Sequence, residues 1–187
     1  MGFFDFLKKK TAPAAPAYGV LCELSVPYLY GIEEKNKDGS DRQALINAAA
    51  QGDDLYIKSA PTAEYPISFG VFNKKGKQLG VLPPKFLKLL MVDYAGRNLS
   101  AQVVRVKPGR AANIEMRVTV YDNPPTAKGY TAEEWERYTA ENKAVYVVKN
   151  GRVYHSDKYC VYDKEYTVTT LKKAQAAGLT PCKKCNK

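Results

Sequence analysis

The chain has one histidine and four cysteines, and the histidine and three of the cysteines fall between Val145 and Lys187. Their order is His155-x4-Cys160, then 21 intervening residues, then Cys182-x2-Cys185. Two residues between thiolates allow a tight turn that aims both sulfurs at one ion and leaves backbone N–H groups to bond them. The intervening segment needs only a strand and a short helix to return the second pair to the first. Four protein ligands fill a tetrahedron, so the expectation is a closed Cys3His site for structural Zn2+ on His155, Cys160, Cys182 and Cys185; a catalytic zinc keeps a position for water or substrate. Two other readings stand beside it. The cysteines serve as small core residues with a surface histidine, or Cys182 and Cys185 form a redox pair. Their place late in the chain, and not at the start of a helix after a strand, ranks the redox pair below metal binding.

Three thiolates and a neutral imidazole around Zn2+ leave a net charge of minus one. Lys158, Lys172, Lys173, Lys183, Lys184 and Lys187 are therefore expected to offset that charge and favour the thiolates. The formal net charge of the whole chain is +10. Residues 143 to 187 hold ten Lys/Arg against three Asp/Glu, and residues 74 to 117 hold ten against two. Such a distribution favours an anionic partner such as nucleic acid, although many basic surfaces serve only solubility.

The run Val145-Tyr146-Val147, Gly151, Tyr154-His155, Cys160, Thr170-Leu171, Ala174, Gly178-Leu179-Thr180-Pro181-Cys182 and Cys185 resembles the small zinc module, similar to the Ada metal-binding fold, appended to some bacterial secreted nucleases and other bacterial proteins. The resemblance covers about the last 43 residues. It implies a metal-held accessory domain, and not the methyl-acceptor chemistry of Ada proteins, whose sites use four cysteines where this chain has His155.

At 187 residues, with 45% hydrophobic and 26% charged residues, the chain has room for one medium domain and a small one. No apolar run approaches the roughly 18 to 20 residues that span a bilayer, and no secretory cleavage pattern stands at the start. The expected location is a reducing cytoplasm, where thiols bind metal more readily than they pair. Cys22, in an apolar strand pattern, reads as a buried spectator. Met1 to Lys10 joins Phe3, Phe4, Phe6 and Leu7 to three lysines and reads as a frayed or partner-docking tail; Phe6 stands where a myristoylation motif needs Ser or Thr. Thr11 to Pro16 is a semi-extended linker.

The middle of the chain reads as strands over Tyr18 to Leu29, Asp54 to Lys58, Tyr65 to Phe72 and Lys77 to Val81. Asn73-Lys74-Lys75-Gly76 makes a hairpin turn. Ser40 with Gln43 has capping-box form, so a helix is expected to follow. Pro83-Pro84 opens a second helix with an apolar stripe. Leu99 to Lys107 and Asn113 to Tyr121 give the clearest sheet signal, since Ile114, Met116, Val118 and Val120 alternate with polar residues. Thr131 to Asn142 reads as a connecting helix with Trp135 and Tyr138 on one face. Asn150-Gly151 signals a type I′ hairpin, and Thr170 caps a final helix ending at Gly178. The boundaries are a tail and linker (1–17), a first domain (18–122), a linker and helix (123–144) and the zinc module (145–187).

Arg42-Gln43, Gly52-Asp53, Val71-Phe72, Gly76 and Gln78-Leu79-Gly80-Val81-Leu82-Pro83, with the helix after them, resemble the HIRAN domain, a modified OB-like barrel that grips single-stranded DNA ends in DNA-repair helicases. Residues 18 to 122 fall under this resemblance. It implies an α+β fold: a small, mostly antiparallel OB/SH3-like barrel with two inserted helices, followed by the zinc-stabilised hairpin and helix. The family's acidic-Pro stretch followed by Asn and Asp is replaced here by Ser59-Ala60-Pro61-Thr62-Ala63-Glu64-Tyr65-Pro66. Arg42 carries over as a family-type basic position, with Tyr65 as a stacking residue.

With the single histidine assigned to metal, and neither a phosphate-cradling glycine loop nor a distinct carboxylate pair, no catalytic constellation emerges. The expected function is non-enzymatic binding of nucleic acid, as single-stranded DNA or DNA ends. Lys74, Lys75, Lys77, Arg105, Lys107, Arg110 and Arg117 face phosphates, together with Arg42, while Tyr65 or Tyr121 stacks on bases. The competing expectation is a zinc-stabilised adaptor that captures a protein through its N-terminal tail.

Overall fold

The computed structural model describes residues 18–186, and the expected tail and linker lie outside the described residues. The chain divides into two compact units. The first takes the chain up to Ala60 together with Ser68–Thr131; the second takes Pro61–Ile67 and the chain from Ala132 onward. Both are α+β and mostly antiparallel. Among the described residues, no helix is long and apolar enough to cross a membrane.

The first unit contains β1 (Val20–Val26), α1 (Arg42–Asn47), β2 (Asp54–Ser59), β3 (Phe69–Asn73), β4 (Gln78–Val81), α2 (Pro84–Lys88), β5 (Leu99–Lys107) and β6 (Asn113–Tyr121). They form one sheet in the order β1-β6-β5-β2-β3-β4, with antiparallel neighbours throughout. The period-two pattern of β6 is realised: Ile114, Met116, Val118 and Val120 are buried beside Val26, Val71, Leu79 and Met91. α2 opens on Pro84 at its first turn and runs on into a π-helical turn, Leu89–Asp93, which buries Leu90 and Met91.

The paired strands leave the sheet with two edges, β1 and β4, and so do not make a closed barrel. The edges are joined at one point. Beyond β1 the chain turns so that Tyr30 bridges Val81 of β4, N to O in both directions, at 3.0 and 2.9 Å. The crossing depends on Gly80, because a Cβ there would stand 2.8 Å from the Tyr30 carbonyl oxygen and 2.9 Å from the Leu29 Cβ.

α1 is capped by Asp41, not by Ser40. The Asp41 carboxylate accepts from the backbone N–H groups of Gln43 and Ala44, satisfying two of the donors that a helix start leaves orphaned. Ser40 instead donates its hydroxyl to Asp38 at 2.6 Å. The Gln43 side chain does not close a capping box; it donates to the Ile32 and Ala112 carbonyls and accepts from the Ala112 N–H. The Asn73 to Gly76 turn forms as expected, with Asn73 Oδ1 accepting from the backbones of Lys75 and Lys77 and Gly76 at a φ of +74°.

The second unit contains α3 (Ala132–Glu141), β7 (Ala144–Val148), β8 (Val153–His155), β9 (Tyr166–Thr170), α4 (Leu171–Ala176) and the two-residue β10 (Thr180–Pro181). Its sheet order is β10-β8-β7-β9, parallel only between β10 and β8. Val145, Tyr154 and Ala174 form the buried cluster, with Val147, Leu171 and Leu179 packed against it. On α3, Trp135 and Tyr138 stack with ring centroids 6.0 Å apart. Thr170 caps α4 as expected, accepting from Lys173 N, and Gly178 follows the helix at a φ of +74°. The β7–β8 turn is not type I′. Gly151 N donates to Val148 O at 2.8 Å, and of the central pair Lys149 and Asn150 only Asn150 takes a positive φ, +60°. An asparagine tolerates that left-handed conformation because its short amide bonds locally.

Candidate metal centre and charged surfaces

His155 is the last residue of β8, and its pairing with Tyr146 of β7 fixes its place. The parallel contact between β10 and β8 brings the second ligand pair to the same end, since Pro181 lies beside Tyr154 and Cys182 N donates to Tyr154 O at 2.9 Å. Cys160 ends a 3-10 turn, Lys158–Cys160, which Asp157 caps by accepting from Tyr159 N. Val161, fully buried, pins the chain just after it. The knuckle between Cys182 and Cys185 closes with Asn186 N donating to Cys182 O at 3.0 Å. Ser156 Oγ ties the knuckle to β8 by donating to Cys185 O at 2.5 Å.

One ligand atom from each of His155, Cys160, Cys182 and Cys185 lies within 4.8 Å of all the others. Cys185 Sγ is 3.7 Å from His155 Nδ1. Tetrahedral zinc with its usual bond lengths puts nitrogen and sulfur about 3.6 Å apart and two sulfurs about 3.8 Å apart. The four side chains lie close enough to bind one metal ion, and their donor set is consistent with zinc.

The local electrostatics follow from the backbone. The Cys182 thiol is held below its ordinary range chiefly by N–H groups of Lys184 and Cys185 pointing at its sulfur. Backbone amides thus supply the largest effect expected of the neighbouring lysines. Burial pushes the Cys160 thiol up, helped by hydrogen bonds to the Cys185 and Cys182 thiols. His155 is 8% exposed, and burial first, then the positive charge of Lys164, lowers its pKa. Both effects favour the neutral imidazole, which is the form that binds metal. Sequence reasoning missed the polar groups behind the ligands: Ser156, and Asn186, whose amide donates toward Cys185 Sγ at 3.6 Å. Position next to a ligand was the available signal for both.

The residues expected to meet phosphates fall into three sets. Arg42 is only 6% exposed, and its guanidinium donates to Asn36 Oδ1, Gly31 O and Glu34 Oε2 at 2.9, 2.6 and 2.9 Å, which organises the loop before α1. Four others are paired with carboxylates: Lys77 with Asp38, Arg105 and Lys107 with Glu115, and Arg117 with Glu23. Glu115 is held below the usual carboxylate range by bonds from Lys107 and then Arg105. Lys74, Lys75 and Arg110 are exposed and have no ion pair among the described residues. Tyr65 is 59% exposed and lies in the loop assigned to the second unit. Tyr121 is half-buried, its hydroxyl 2.9 Å from Ser100 Oγ. Cys22 is half-buried too, hydrogen-bonded to the Tyr94 hydroxyl.

β2 pairs antiparallel with both β3 and β5, so β3 and β5 run in the same direction. β6 pairs antiparallel with both β5 and β1, so β1 shares that direction. The turn carrying Lys74 and Lys75 follows β3 and the turn carrying Arg110 follows β5, but the register sets them apart: Asn73 lies level with Leu55 and Ala101 near the start of β5, and Arg110 comes after its far end. Tyr30 bridges Val81, at the end of β4 away from the Lys74–Lys75 turn, on the chain leaving β1. That chain carries Tyr28 and Tyr30, both exposed, with rings edge to face at 5.4 Å. These two tyrosines were not singled out from the sequence, where they read as the end of a strand. No family model, curated protein or solved structure matches the chain.

Proposed function

We propose that the chain is a non-enzymatic nucleic-acid-binding protein of the cytoplasm. In this reading the first unit is a partly open OB/SH3-like barrel of HIRAN type that contacts single-stranded DNA or DNA ends. The second unit is a module held by structural Zn2+ on His155, Cys160, Cys182 and Cys185. The observation that carries the reading is that the first unit displays exposed cations without ion pairs among the described residues, Lys74, Lys75 and Arg110, and the exposed rings of Tyr28 and Tyr30. Uncompensated cations attract phosphates, and exposed rings offer faces on which unpaired bases stack. The Tyr30 to Val81 bridge supports the barrel reading, because it ties together the two edges that a barrel must join. Arg42 drops out of the contact set and becomes a support for the loop beside it.

The test is fluorescence anisotropy of the zinc-loaded protein with labelled single-stranded and duplex oligonucleotides across a salt series. Binding that weakens steeply with salt and falls about tenfold or more in a Lys74→Glu, Lys75→Glu, Arg110→Glu triple variant is the expected result. A protein that binds no strand at about 50 mM salt would sink the proposal and leave the adaptor reading in first place.

A further inference from the structure

The loop carrying Cys160 displays two of the most exposed aromatic rings of the described chain. Tyr159 is 72% exposed and Tyr162 is 76% exposed, while Cys160 between them is a ligand and Val161 is fully buried. The backbone is thus anchored from inside, and both rings face water. Large rings are ordinarily at least partly covered, because each buries apolar area at a gain. Lys158 Nζ lies 5.7 Å from the centre of the Tyr159 ring, so a cation accompanies the aromatic face.

The loop itself is close to neutral, with Asp157 and Asp163 beside Lys158 and Lys164, and the surplus of positive charge lies in the rest of the second unit. Of the basic residues between 143 and 186, only Lys149 and Lys172 make ion pairs among the described residues, with Glu165 and Glu141. Lys158 and Lys164, on either side of the two tyrosines, have none. Exposed rings with unpaired cations on a rigidly tethered loop are the chemistry of a base-stacking platform.

We propose that the Lys158 to Lys164 loop is a contact surface for single-stranded nucleic acid, with Tyr159 and Tyr162 stacking on bases and Lys158 and Lys164 meeting phosphates. The assignment rests on the nucleic-acid reading above and adds to it a surface in the second unit. It also gives the metal a task beyond folding: Cys160 holds the loop, so the ion fixes the spacing of the rings.

Three variants and their parent, all zinc-loaded, test this with a labelled single-stranded oligonucleotide at low salt. Tyr159→Ala with Tyr162→Ala is expected to weaken binding by roughly tenfold for each ring lost, whereas Tyr159→Phe with Tyr162→Phe binds like the parent because the ring face is kept. Lys74→Glu with Lys75→Glu reports on the first unit separately. Equal zinc content and unchanged circular dichroism exclude misfolding as the cause. A 5-iodouracil oligonucleotide is expected to cross-link to the peptide carrying Tyr159 and Tyr162. If the lysine variant loses affinity while the double alanine variant keeps it and no cross-link appears there, this inference fails and the first-unit reading stands. If the alanine variant alone loses affinity, the inference stands and the first-unit surface fails. A parent protein that binds no nucleic acid overturns both.

Discussion

In the first unit, the nine-residue strands β5 and β6 pair along most of their length and bury Ile114, Met116, Val118 and Val120 in one continuous core. In the second, the strands run from two to five residues and the buried cluster is Val145, Tyr154 and Ala174. Burial of an apolar side chain contributes about 1.5–3 kcal/mol. With Trp135 and Val161, the other buried apolar residues of the unit, this cluster supplies on the order of 10 kcal/mol against the larger entropy of ordering the whole module, while structural zinc binding in small units is worth roughly 10–16 kcal/mol. In the proposed reading, apolar area holds one unit and a metal bound by four ligands holds the other. A chain can therefore carry two folds whose stability answers to different variables, temperature and denaturant in one case and free metal in the other.

The largest test of that contrast is to take the metal away. Chelation, or Cys182→Ser, is expected to abolish the cooperative structure of the second unit outright and to leave the first intact. Heteronuclear NMR would show dispersed signals for β5 and β6 persisting while those of β7 to β10 collapse to random-coil positions; unchanged signals in both units would break the comparison. Next in size is Met116→Ala, which removes a fully buried side chain of β6 and is expected to cost about 2–5 kcal/mol. The transition assigned to the first unit should shift in denaturant, with the zinc affinity measured by chelator competition unmoved. Smallest is Thr170→Ala, which deletes the cap of α4 and is expected to cost about 1 kcal/mol. Its effect should appear as weaker zinc retention, because in the second unit any loss of fold is a loss of metal affinity.

What could be read from the sequence tracks how local the information is. The ligand set was legible because residue type and spacing alone define it, and the structure adds only that the four groups meet. β5 and β6 were legible because eight alternating positions repeat one signal. The α1 cap was misplaced by one residue because Ser40 and Asp41 are both good caps, and Asp38, two residues before Ser40, engages the Ser40 hydroxyl and leaves Asp41 to cap. Arg42 could not be read as buried, since its partners Gly31, Glu34 and Asn36 reach it through a loop whose path no local pattern fixes. The Asn150-Gly151 turn slipped by one residue because both positions accept a positive φ and the strand register chooses between them. Tyr28 and Tyr30 were missed for a related reason: their exposure depends on the path the chain takes from β1 to the edge of β4, which is a property of the whole unit.

The bridge between Tyr30 and Val81 has a consequence for solubility. A four-residue edge strand such as β4 presents hydrogen-bonding groups that any other extended chain can adopt, and this is the usual starting point for intermolecular sheet growth. By laying its own backbone along that edge, the segment after β1 occupies the Val81 amide and carbonyl before a neighbouring molecule reaches them. The absence of a side chain at Gly80 permits the close approach. A residue with no side chain thus lets the chain cover part of one edge of its own sheet.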